Sequence, residues 1–172
     1  MFVIRFALLS SLFYALNVSM IPLIYTLEVS AFLFLFIRFG TTFFTSLVIT
    51  KSLFSISKIK QQKLGLWVFI LSFLFGIQSW LYVEAVKYMS VGLASVVLFT
   101  YPLITYLIVS LNSRRKLDVS TILMFLLAII GIAAISQSED GFYTMAIGIV
   151  LAILSAISYS LILIITPKMS AL

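Results

Sequence analysis

Six stretches of this chain are each long and apolar enough to cross a bilayer, and no soluble fold could hide them all. A spanning helix needs about 20 mostly apolar residues. Such runs lie at about 2–21, 30–50, 66–88, 91–111, 119–136 and 142–166. They are too long for strands, and barrel strands would alternate in polarity. Hydrophobic residues make up 63% of the 172 positions and charged residues 9%, against about half and about a quarter in soluble domains. The expected fold class is therefore all-α: a polytopic bundle of about six transmembrane helices, multi-pass in the cytoplasmic membrane, with lipid as its main partner.

Composition removes whole classes of chemistry. The chain has no cysteine and no histidine, so disulfide frameworks, thiolate sites and the commonest metal ligand are absent from the sequence. An enzyme acting on lipid inside the membrane would need such groups or clustered carboxylates. The sequence predicts no enzyme, no metal and no cofactor. The net charge of +6 would suggest nucleic acid in a soluble protein. Here the basic residues sit between apolar runs, so membrane topology explains them better and no nucleic-acid partner is expected. The start, Met1 to Arg5, leads straight into an apolar run like a signal peptide. With no small-residue cleavage site before a soluble domain, and another span close behind, it reads as an uncleaved first helix.

The charges set the orientation. Lys51, Lys58, Lys60 and Lys63 lie between the second and third runs, and Arg114, Arg115 and Lys116 between the fourth and fifth. Arg5 precedes most of the first run and Lys168 follows the last. A cytoplasmic N-terminus puts all of these inside. The opposite loops carry Glu28, Glu139 and Asp140 and no Lys or Arg, with Lys87 at the outer end of the third run. This is a positive-inside pattern, and it argues against pairing of two copies in opposite orientations.

The first and last runs resemble one another at an offset of 145 residues. Ala7, Leu9, Ser10, Tyr14, Leu16 and Pro22 coincide with Ala152, Leu154, Ser155, Tyr159, Leu161 and Pro167. Small residues four apart, Ala7, Ser11, Ala15 and Ser19, are echoed by Ala152, Ala156 and Ser160. That spacing puts them on one helix face, where small side chains let another helix approach closely. Five runs separate the two starts, so the units have opposite orientation. Inverted repeats are a building plan of secondary transporters, with substrate near the midplane at the repeat interface. The expected organisation is a first five-helix repeat at 1–137 and the first helix of a truncated second repeat at 138–172.

A family becomes visible between Val83 and Ser136. The residues Ala85, Tyr88, Ser90, Ala94, Pro102 and Gly131 resemble the EamA-like branch of the drug/metabolite transporter superfamily, as does the pair Arg38-Phe39. The family often has a Glu where Arg115 stands, and a Gly where Met124 stands. The resemblance implies two five-helix repeats, of which this chain would hold one and a part, and transport of a small organic metabolite or drug. Activity would then require self-pairing or a missing second half. The alternative is a non-transporting remnant or an accessory membrane subunit.

Several polar residues fall inside the runs. Arg38 lies roughly eight residues into the second, roughly 12 Å deep at 1.5 Å per residue. A charge there costs about 2.5–3.5 kcal/mol on insertion scales. It reads either as a counter-charge for an anionic substrate group or a gate, or as a snorkelling or structural residue paired with Glu84. Glu84 is either a coupling carboxylate or the partner of Lys87 three residues on. Tyr14, Asn17, Gln78 and Tyr101 are substrate-cavity candidates, because polar groups are costly in lipid and turn inward. Trp80, Tyr82 and Tyr88 suit either the cavity or the outer interfacial belt. Pro102, mid-run, predicts a kink that is either a hinge or static.

Overall fold

A computed structural model describes residues 2–49, 64–112, 119–136 and 142–170. Among them every regular element is a helix: α1 (Phe2–Ser19), α2 (Ile21–Thr26), α3 (Ala31–Ile49), α4 (Leu64–Ala85), α5 (Val91–Leu98), α6 (Tyr101–Asn112), α7 (Val119–Ser136) and α8 (Phe142–Ser170). By length and composition Gly65–Ala85, Val91–Asn112 and Met145–Pro167 can each cross a membrane, and Ser11–Thr26, Ala31–Leu47 and Ile122–Gly131 are shorter apolar helices. The fold is an all-α membrane helix bundle. Most of the loop charges that set the predicted orientation, and the 137/138 boundary, lie outside the described residues.

Two predicted helices are each split in two, and proline chemistry accounts for both breaks. The first run does not end near Pro22. It turns at Met20 and resumes as α2, with Pro22 in the opening turn, where its missing N–H has no intrahelical partner to lose. The fourth run breaks at Phe99–Thr100, and Pro102 is the second residue of α6 rather than a mid-helix kink. Proline cannot donate to the carbonyl four residues back. The chain instead closes turns from the Phe99 N–H to the Ser95 carbonyl at 2.9 Å and from the Thr100 N–H to the Val97 carbonyl at 3.1 Å. Pro167 behaves differently from the expected stop, for α8 runs on to Ser170.

The turn between α2 and α3 follows from Glu28, which has φ 55°. The Val29 N–H bonds the Ile24 carbonyl at 2.8 Å and the Glu28 N–H bonds the Tyr25 carbonyl at 3.3 Å. This left-handed cap satisfies the last carbonyls of α2. The turn into α5, at the same end of the bundle, uses Ser90, whose Oγ accepts from the Leu93 N–H at 3.3 Å, a serine N-cap.

The core sits where α8 runs antiparallel to α4 and also packs on α5 and α6. Gly148, Ala152, Ala156 and Ser160 are four apart and face inward, the last three fully buried. The small-residue stripe read from the sequence is thus a close-packing face, one turn longer than expected. The matching face of α1 differs, for Ser11, Ala15 and Ser19 are exposed. Large apolar side chains such as Phe32, Phe36, Phe69 and Leu127 point outward, as lipid requires.

Two buried polar residues fasten the central pair. The Ser155 hydroxyl donates to the Gln78 carbonyl at 2.8 Å, and the Gln78 side-chain amide donates to Ser155 Oγ at 3.3 Å. Interhelical bonds of this kind contribute about 0.6 kcal/mol on average and at most about 1.7. Ser155→Ala removes both bonds between α4 and α8, so we expect a loss of about 1 kcal/mol, measured by denaturant unfolding in detergent. No change in stability would show that the pair is not formed.

Candidate functional site

A cavity of about 530 Å³ opens between α1, α3, α4, the α5–α6 break and α8. That volume is in the range of small-molecule sites. Each wall is placed by a feature already described. The interruption at Phe99–Thr100 sets Leu98, Phe99 and Tyr101 at the lining, near the middle of that span. Tyr159, one residue before the packed Ser160, reaches it from α8, and α4 contributes Phe75, Gln78, Ser79 and Tyr82. From α1 come Ser11, Tyr14 and Val18, and from α3 comes Arg38.

The wall of α5, α6 and α8 is fixed by hydrogen bonds. The Ser160 hydroxyl is within hydrogen-bonding distance of the Tyr101 carbonyl at 3.0 Å and of the Ala156 carbonyl of its own helix at 2.8 Å, and shares its one proton between them. The Tyr101 and Tyr159 rings meet edge to face with centroids 4.6 Å apart, a favoured aromatic geometry. The Tyr82 hydroxyl is 2.8 Å from Ser95 Oγ, and Ser95 donates to the Val91 carbonyl at 2.8 Å. Tyr82 therefore donates to Ser95 and clamps α4 to α5. On the far side the Tyr25 hydroxyl donates to the Val83 carbonyl at 2.7 Å, tying α2 to α4.

Of the residues singled out in the sequence, Arg38, Tyr14, Gln78 and Tyr101 come together on this lining. Asn17 does not. Its Oδ1 is buried and has no hydrogen-bond partner among the described residues. Glu84 Oε1 lies 3.7 Å from Lys87 Nζ, outside the lining, and it does not pair with Arg38. Tyr82 is buried at 4% exposure and belongs to the cavity wall rather than to an outer belt. Trp80 is exposed. Sequence reasoning missed Tyr159, although the signal was present, because Tyr159 coincides with Tyr14 at the 145-residue offset. The two tyrosines line one cavity, from α1 and from α8. Ser79 and Phe75 carried no signal beyond their neighbourhood to Gln78.

A second groove of about 590 Å³ lies between α3 and α4. It is lined by phenylalanines, including Phe36, Phe39 and Phe73, and Ser72 and the Trp80 indole supply its polar side-chain atoms. It offers little to orient a polar solute, and the first cavity is the better candidate site.

The comparison with protein families identifies this helical membrane bundle. The profile of the EamA-like transporter family matches residues 1–137. The chain belongs to that family. It is accordingly a member of the drug/metabolite transporter superfamily. No curated protein and no solved structure is matched. In this EamA-like chain the matched segment supplies every lining residue except Tyr159, which α8 contributes from beyond it.

Proposed function

We propose that this EamA-like protein is a secondary transporter that moves a small organic metabolite or drug across the cytoplasmic membrane, with the 530 Å³ cavity as its solute site. The observation that carries the reading is the placement of that cavity. It joins polar side chains from five apolar runs at a break in one of them, and broken spans at the interface of repeats are where carriers bind. The cavity supplies donors and acceptors from Gln78, Ser79 and the tyrosines, with apolar walls from Val18, Phe75 and Leu98. The organisation into a first repeat at 1–137 and the start of a second at 138–172 is part of the proposal. Tyr14 and Tyr159 support it by their equivalence.

The test is binding followed by exchange. Purified protein in nanodiscs is screened for thermal stabilisation by amino acids, nucleosides and small organic acids, and stabilising solutes are then assayed by counterflow in proteoliposomes. Stabilisation with exchange supports the carrier. A folded, monodisperse protein that neither binds nor exchanges any of them points to a non-transporting accessory subunit or remnant. One observation favours that second reading, namely the open small-residue face of α1, which has room for a helix of another chain.

The proposed orientation has its own expected result. Because the chain has no cysteine, single cysteines report without background. In intact cells a membrane-impermeant maleimide should label Ser138→Cys, and should label Ser113→Cys only after lysis. The reverse pattern would overturn the cytoplasmic N-terminus.

A further inference from the structure

We infer that the cavity takes a small organic anion, with its negative group on the Arg38 guanidinium and its apolar body against the surrounding aromatic rings. This rests on the cavity being the solute site. Arg38 lies seven residues after Ala31, the first residue of α3, which is about 10 Å along the helix. It is half-buried and lines the cavity. A guanidinium keeps its charge and presents five donors and no acceptor.

Among the described residues no acidic group answers that charge. The lining contains no aspartate or glutamate. Among the described residues no carboxylate lies within ion-pairing distance of Arg38, and Glu84 is held by Lys87. The tyrosines that share the lining with the guanidinium, Tyr14, Tyr82, Tyr101 and Tyr159, are neutral phenols, and the Tyr82 hydroxyl is already engaged with Ser95. A cationic group entering this cavity would meet a like charge with no counter-charge to offset it. A carboxylate would meet a fork of donors in a setting drier than water, where charge-assisted hydrogen bonds are strong. Tyr14, Tyr101 and Tyr159 offer ring surface, and the Gln78 amide and Ser79 hydroxyl can orient the rest of the solute.

The experiment uses three probes of one shape on the full chain in nanodiscs: phenylacetate, phenylacetamide and phenethylammonium, with dissociation constants from isothermal titration. Phenylacetate is expected to bind at least about tenfold more tightly than the amide, the scale of one charge-assisted bond, and the ammonium most weakly. Arg38→Gln should erase the preference for the anion, and Arg38→Lys should keep part of it. Equal or tighter binding of the amide or the ammonium overturns the anion assignment and leaves the carrier reading standing. Binding of none of the three at millimolar concentration removes the cavity as a solute site, and both readings with it. The comparison of probes on the unmodified chain needs no variant, so a misfolded Arg38→Gln does not blunt the test.

Discussion

Gly148→Leu is expected to lower the stability of the folded bundle by about 3 kcal/mol, the upper end of the usual cost of overpacking a filled core. The glycine packs α8 against the C-terminal end of α4 and the turn that follows it. A Cβ built there would stand 3.1 Å from both Met89 Cγ and Tyr88 Cβ, and 3.2 Å from the Ala85 carbonyl oxygen. The methionine can swing aside, but the Ala85 carbonyl belongs to helix backbone and cannot. Alanine would already force a shift of a few tenths of an ångström, and we expect Gly148→Ala to cost about 1 kcal/mol. A leucine would have to lever the two helices apart, loosening Ala152 and Ala156 below it and stretching the Gln78–Ser155 pair. Gly76, on α4, is the control. A Cβ there meets nothing within 4 Å, so Gly76→Ala should be neutral or stabilising by up to about 1 kcal/mol through helix propensity. Denaturant unfolding in detergent, followed by the fluorescence of Trp67 and Trp80, reads both. If Gly148→Leu and Gly76→Ala behaved alike, the close packing of α8 on α4 would be wrong.

Helix existence was legible in the sequence because the bilayer imposes a single length scale on every apolar run. The second and fifth runs appear nearly unchanged as α3 and α7. The breaks were harder to place. Hydropathy does not register a lost hydrogen bond, and Pro102 pointed to a kink without saying that the chain would part three residues earlier. Pro22 and Pro167 illustrate the ambiguity, for each marks a boundary by residue type, yet one sits in the first turn of a continuing helix and the other inside one.

The site was legible in part, and the reason is energetic. Polar atoms in lipid are costly enough that inward orientation could be argued for Arg38, Gln78 and Tyr101 one at a time. Which inward residues share a cavity depends on packing between helices, and a single sequence does not give that. Asn17 is as polar as Gln78, yet its Oδ1 is buried with no partner among the described residues, whereas Gln78 has Ser155 opposite it. The 145-residue offset could have identified Tyr159, since Tyr14, with which it coincides, was already a candidate. The exposed aspect of the stripe on α1 had no signature, because the same four-residue spacing is packed on α8.

The absence of cysteine turns the cavity itself into a measurable object. Ser11 lines it from α1, and its hydroxyl only returns a bond to the Leu8 carbonyl at 2.9 Å, so Ser11→Cys should fold normally. Ser158 is next to Tyr159 but does not line the cavity, and its hydroxyl bonds the Leu154 carbonyl at 3.0 Å. Only the thiolate reacts with a methanethiosulfonate, and an apolar surrounding suppresses it, so Ser11→Cys should react at least roughly tenfold faster than Ser158→Cys. Water in the cavity, beside the Arg38 charge, favours the thiolate further. Phenylacetate bound at Arg38 should then slow the reaction at Ser11→Cys and leave the rate at Ser158→Cys unchanged. Equal rates at the two positions would mean that water does not reach the cavity, and the site would lose its claim to a solute. A fast reaction at Ser11→Cys without protection would keep the aqueous cavity and remove the anion from it.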